Sequence, residues 1–239
     1  MKRIFSLLFA FICTGLTLAA QKTVTDPNAE VRQVGSFHGI EVATGIQLIL
    51  THDNTEAVAV SASAPAFRDK IITKVENGIL HIRYETKAGS INKKNETRAL
   101  KAWVSYKSID KLFATTGAGV KIDGTLESGL VDMKASTGAT ITGRVDIGTL
   151  RLDQSTGSKV TLQGKAGSLY VSGSTGSKFT GEEMGTSSSD VRVSTGARVS
   201  VNAEKELQVR ASTGGSVRYR GNAGIRELKT NTGGSVSRI

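Results

Sequence analysis

Three cations recur at one place in a repeating motif. Lys159, Lys178 and Arg198 each stand two residues after the glycine of a Ser-Thr-Gly triplet. If successive repeats lie one above another, these side chains stand about 4.8 Å apart on one face. Like charges held that close repel, so the row is a candidate ligand-binding site for an anion. Other residues with chemical potential do not converge. His38, His52 and His81 have no His or Cys partner at metal-ligand spacing. His52-Asp53 reads as the start of a turn rather than a catalytic pair. Asp132, Asp146, Asp153 and Glu182-Glu183 fall in different positions of the repeat, where paired carboxylates for glycoside chemistry would have to meet. There is no Gly-x-Ser-x-Gly elbow, no phosphate-binding Gly-Lys-Ser/Thr loop and no calcium-binding glycine-aspartate nonapeptide. We therefore expect no catalytic residue, no metal and no cofactor.

The triplets themselves position everything else. They are Thr115-Thr116-Gly117, Ser136-Thr137-Gly138, Ser155-Thr156-Gly157, Ser174-Thr175-Gly176, Ser194-Thr195-Gly196, Ser212-Thr213-Gly214 and Asn231-Thr232-Gly233. Successive glycines are 21, 19, 19, 20, 18 and 19 residues apart. Five residues before each glycine stand Leu112, Met133, Leu152, Val171, Val191, Val209 and Leu228. Three after stand Val120, Ile141, Val160, Phe179, Val199, Val217 and Val236. Apolar positions alternate with polar ones, the pattern of half-buried strands. A constant residue type at each position is what rung-on-rung stacking produces. The expected fold is all-β: a parallel β-helix, or solenoid, of about 19-residue rungs. In it the glycines take positive φ at a sharp corner, and the threonine hydroxyls bond along the stack.

The remainder of the chain divides around this array. Residues 1–20 carry a basic start, Lys2-Arg3, an apolar run from Ile4 to Ala20 and small residues at its end, as in a secretory signal peptide. The single cysteine, Cys13, follows Ile12, which does not suit lipidation, and its removal would leave no thiol chemistry. Losing Lys2 and Arg3 lowers the formal charge from +10 to +8. No second apolar run is long enough to span a membrane after cleavage. Residues 21–35 read as an exposed lead segment. Residues 36–106 read as an irregular β region capping the regular array of 107–239. Within that region, Ala43-Thr44-Gly45 heads a degenerate eighth copy, Ala57–Val60 and Ala99–Tyr106 read as strands, and Asn77-Gly78 marks a hairpin. Residues 86–98 read as a polar loop. No stretch sustains a helical apolar period.

Several segments together resemble one known family. They are Phe37-His38-Gly39-Ile40-Glu41-Val42 with Thr44-Gly45-Ile46, Val75-Glu76-Asn77-Gly78-Ile79-Leu80-His81-Ile82, Gly173-Ser174-Thr175-Gly176, and Val217-Arg218-Tyr219-Arg220-Gly221-Asn222. The chain is similar in these to the "putative auto-transporter adhesin, head GIN domain" family, although that family mostly has Ser-Gly-Ser-Gly where this chain has Ser-Thr-Gly. The resemblance implies an exported Bacteroidetes-type protein with a β-helix fold, in the periplasm, at the outer membrane or on the cell surface. It also implies an adhesin-like, non-catalytic role at the cell envelope. Partners consistent with the charge are a glycan or another anionic envelope component, or a protein, and no nucleic acid is expected. The alternatives are a periplasmic carbohydrate-active enzyme on a β-helix scaffold and a self-associating structural envelope protein.

Overall fold

The computed structural model describes residues 26–85 and 97–239. The signal-peptide reading of residues 1–20 lies outside these residues, as does most of the 86–98 loop reading. The array is a stack of parallel rungs. β9 (Gly119–Ala135), β10 (Thr140–Gln154), β11 (Lys159–Gly173), β12 (Lys178–Val193) and β13 (Arg198–Ala211) each run almost from one Thr-Gly corner to the next. Each pairs in parallel with its neighbour, and Ile141↔Val160, Phe179↔Val199 and Val191↔Val209 share register. β14 (Ser216–Arg220), β15 (Gly224–Thr230) and β16 (Ser235–Arg238) complete the last rungs. The segments that connect one corner to the next are thus strand throughout. Variation in repeat length is absorbed just beyond the post-corner strand. β9 carries two extra residues between Lys121 and Thr125 relative to Thr142 and Arg144, and the β12–β13 register shifts between Gly181 and Gly185.

Both fully apolar columns point inward. From Leu112 to Val209 and from Val120 to Val217 every member is buried. At roughly 1.5–3 kcal/mol for each buried side chain, these two columns are the main source of cohesion between rungs. A third column, just after each corner glycine, is also buried: Ala118, Ala139, Ser158, Ser177 and Ala197. Only small side chains fit there, and Ser158 satisfies its hydroxyl by donating to the Ala135 carbonyl at 2.9 Å. In the last rung the apolar column is uncovered, and Leu228 is 45% exposed.

The corners differ from the expectation in an instructive way. The glycines do have positive φ, between 69° and 75°, but so do the threonines before them, between 46° and 60°. Two successive left-handed residues make a type I′ turn, whose natural occupants are Asn-Gly. Threonine is β-branched and is a conformational outlier there. The rung-to-rung bonds at the corner are also not a hydroxyl ladder. Each glycine N–H donates to the threonine carbonyl of the next rung, as in Gly138 to Thr156, Gly157 to Thr175 and Gly176 to Thr195, at 2.9–3.0 Å. One hydroxyl pair does bridge two rungs, Thr115 Oγ1 and Ser136 Oγ, 2.9 Å apart. Because backbone carries the bonding, Thr156→Asn should keep the corner and relieve strain. The left-handed region costs an ordinary residue about 1–2 kcal/mol, and asparagine less. The expected result is a gain of about 0.5–1 kcal/mol, read as a higher urea midpoint with unchanged slope.

The N-terminal region joins the array in register. β2 (Gly39–Val42) stacks on β8 (Lys111–Ala114) with Ile40↔Leu112, and β3 (Gln47–His52) stacks on β9 with Leu48↔Val120. The Thr44-Gly45 corner donates to Thr116 O at 2.9 Å, the same bond as in the later rungs. Beyond them the sheet changes sense. β7 (Lys101–Tyr106) pairs with β3 in parallel, then β4 (Ala57–Ser61) and β1 (Glu30–Arg32) add antiparallel strands. β6 (Ile79–Tyr84) pairs with β2, and β5 (Ile71–Glu76) closes a hairpin through Asn77-Gly78. Within the 21–35 segment, read as exposed, Glu30–Arg32 forms the edge strand, with Val31 68% exposed and Arg68 bonded to Glu30 at 2.9 Å. One helical turn also occurs, Pro65–Arg68, nucleated by a proline at its start.

Candidate functional site

The three cations do align. Lys159, Lys178 and Arg198 are the first residues of β11, β12 and β13, and they are direct register partners in successive rungs. Their amides anchor them to the rung before: Lys159 to Ala139 O at 2.9 Å, Lys178 to Ser158 O at 2.8 Å, Arg198 to Ser177 O at 2.9 Å. Each is exposed, and its neighbours in sequence, such as Val160, Phe179 and Val199, point into the core. Two residues further on, the same face carries a hydroxyl row in register, Thr142, Thr161, Thr180 and Ser200, with Lys121 and Arg218 at its ends. This flanking row is not conspicuous in sequence, because Thr and Ser are common at outward strand positions.

Several other cations of the array meet carboxylates, although some, such as Lys205 and Arg218, do not among the described residues. Lys165 lies 3.0 Å from Asp146, Arg151 3.7 Å from Asp132, Arg192 3.0 Å from Asp190 and Arg226 2.5 Å from Glu206. Lys229 bonds Glu227, which Arg210 also contacts, and the carboxyl of Glu227 is held below its ordinary range mainly by the Lys229 bond. Among the described residues, Lys159, Lys178 and Arg198 enter no ion pair. Two unit charges about 5 Å apart in water repel by under about 1 kcal/mol, so the row is tolerated as it stands. A bound anion would turn that repulsion into attraction.

The other sequence candidates are dispersed. Asp132 and Asp146 are taken up by the pairs above. His52 bonds the Lys107 carbonyl at 3.1 Å and packs edge-on to Tyr106, while Asp53 receives the Thr55 amide. His81 faces Glu41 at 3.1 Å. His38 meets Asp110 at 2.7 Å, a pair 72 residues apart in sequence that only the stacking of β2 beside β8 brings together. Among the described residues no three His, Cys, Asp or Glu side chains form a group able to hold a metal ion. No helix among them is long and apolar enough to cross a membrane.

Comparison with known proteins agrees with this architecture. No curated protein matches the sequence. A crystal structure of a putative adhesin from Bacteroides fragilis NCTC 9343 superposes with a TM-score of 0.74 at 15% identity, covering 88% of this chain and 96% of that one. A putative adhesin from Parabacteroides merdae ATCC 43184 gives 0.70 at 12% identity, covering 88% and 95%. A protein from Parabacteroides distasonis ATCC 8503, named a putative lipid binding protein, gives 0.67 at 12% identity, covering 90% and 98%. At these identities the likeness is one of fold. The sequence model of the family described as "Putative auto-transporter adhesin, head GIN domain" matches residues 36–223, and with its glycine corners, inward columns and parallel rungs the chain belongs to that family.

Proposed function

We propose that the chain is an exported, non-catalytic module that works at the cell envelope as an adhesin-like binder of anionic glycan. The observation that carries this reading is the row Lys159, Lys178 and Arg198, aligned on a flat strand face and without carboxylate partners. A repeating polyanion offers charges to successive rungs at once, and the flanking hydroxyls of Thr161, Thr180 and Ser200 can donate to its oxygens. Export is supported by the basic start and apolar run of residues 1–20, and the adhesin names of the similar structures support the class. A carbohydrate-active enzyme is disfavoured because the candidate acids fall in different columns of the array, and Asp132 and Asp146 are paired with cations. Self-association is the second reading, favoured by the uncovered Leu228 of the last rung, since an open strand edge is a template for another chain.

The variant Lys159→Ser/Lys178→Ser/Arg198→Ser tests the first reading. Exposed ion contacts contribute about 0.5–1 kcal/mol each, so losing three should weaken binding to alginate or dextran sulfate by about tenfold to a hundredfold. Wild-type binding should fall with added salt. Unchanged retention of the variant on both polymers would remove the row from the mechanism, and anionic lipid vesicles run alongside would show whether a headgroup is the preferred anion. Sedimentation over a concentration series checks the second reading, which requires a mass that rises with concentration.

A further inference from the structure

Across the Thr-Gly corner from the cation row lies a second strand face with a different character. Its column six residues before the corner glycines reads Lys111, Asp132, Arg151, Tyr170, Asp190, Gln208 and Glu227, all in register. Six of the seven are charged or amide side chains. Tyr170 breaks the pattern. Leu169 and Val171 on either side of it are buried, so strand alternation fixes its ring outward, and it is 48% exposed.

The ring borders a shallow depression of about 240 Å³ lined also by Arg151, Asp153, Ser172, Asp190 and Arg192. The charges around it cancel, two guanidinium groups against two carboxylates. Arg192 donates to Asp190 Oδ2 at 3.0 Å, while Asp190 Oδ1 is sealed from water and has no hydrogen-bond partner. Oδ1 is therefore out of reach of a ligand, and the accepting oxygen offered to the depression is Oδ2, which has lone-pair capacity beyond the Arg192 bond.

We propose that this depression binds a neutral pyranose glycan, with Tyr170 as the stacking platform and Asp190 as the acceptor for sugar hydroxyls. The negative face of an aromatic ring attracts the slightly positive C–H groups of a sugar. Sugar hydroxyls both donate and accept, and this site offers both kinds of partner: carboxylates that accept, guanidinium groups that donate, and the Ser172 hydroxyl that does either. Its zero net charge suits neither a polyanion nor a polycation. An extended peptide is a poorer fit, because β11 and β12 are hydrogen-bonded on both sides and have no edge to offer a new strand. The site stands apart from the cation row and does not depend on it.

The test is titration of the purified protein with cellohexaose, laminarihexaose and mannohexaose, followed by calorimetry and by chemical-shift changes. At least one should bind. Tyr170→Ala and Asp190→Asn should each weaken that binding tenfold or more, Tyr170→Phe should retain it, and Lys159→Ser/Lys178→Ser/Arg198→Ser should leave it unchanged. Polyanion binding should in turn survive Tyr170→Ala, so the two sites can fail separately. Both Tyr170 substitutions are at the surface, and circular dichroism checks that each variant stays folded. Absence of binding by all three sugars, or equal affinity of Tyr170→Ala and wild type, overturns the proposal.

Discussion

Phe179→Ala should cost about 3–5 kcal/mol, the usual range for deleting a buried ring. The reason for placing it at the top of that range is local. Every other member of its column is an aliphatic Val, Ile or Leu, so a ring needs extra room. It finds that room over Gly181, two residues on: a Cβ built at Gly181 would lie 2.7 Å from two ring atoms of Phe179. In neighbouring rungs the position of Gly181 is filled by Leu162 and Val201, both buried. Phe179 therefore fills two columns at once, and its loss opens a void that backbone bonding prevents from collapsing. Gly181→Val alone should destabilise as well, since its side chain meets the ring. The double variant Phe179→Val/Gly181→Val restores one side chain to each column and should recover most of the loss, giving a coupling above about 1 kcal/mol in a double-mutant cycle. Urea unfolding of wild type, Phe179→Val, Gly181→Val and the double variant measures it. Additive costs would show that ring and glycine are independent.

Gly164→Ala is expected to cost about 3 kcal/mol or more, well beyond the strain of a left-handed alanine. Gly164 has φ +107°, and its added Cβ would lie 2.1 Å from the Val145 carbonyl oxygen of the preceding rung. That neighbour is backbone within a ladder and cannot swing aside as a side chain could. Gly124 supplies the control. It lies in the extra residues of β9 between Lys121 and Thr125 with φ +97°, and a Cβ there meets nothing within 4 Å. Gly124→Ala should cost only about 1–2 kcal/mol. The difference between the two variants isolates the price of close rung contact from that of the dihedral angle. Equal midpoints for the two would mean that the corner at Gly164 opens freely.

How much of this was legible in the sequence depended on where side chains, rather than backbone, carried the information. The inward columns were readable because burial selects residue type at a period of two, and Ile40 and Leu48 were recognisable as part of them even where the triplet had degraded to Ala43-Thr44-Gly45. The alignment of Lys159, Lys178 and Arg198 followed from the same register. What escaped notice was specified by main chain. The connecting segments are strands whose hydrogen bonds are indifferent to side-chain identity, and Gly143 and Gly164 look like loop residues in a sequence although they lie inside β10 and β11. The left-handed threonines were hidden because residue type argued against the conformation they adopt. Edge strand Glu30–Arg32 is too short to show an alternation. Tyr170 had a signal, an aromatic residue between two inward-pointing aliphatic ones, but its meaning rests on Arg151 and Asp190, each about one rung away.

Because spare residues between repeats are taken up in short register shifts, as between Gly181 and Gly185 and between Thr186 and Ser188, neighbouring coils need agree only along their paired stretches. Such a molecule can be lengthened or shortened by one whole coil without redesign of what remains. Its height then changes in increments of about 4.8 Å, like the graduations of a ruler. A polymer laid along it meets a measuring scale, on which three consecutive marks carry positive charge.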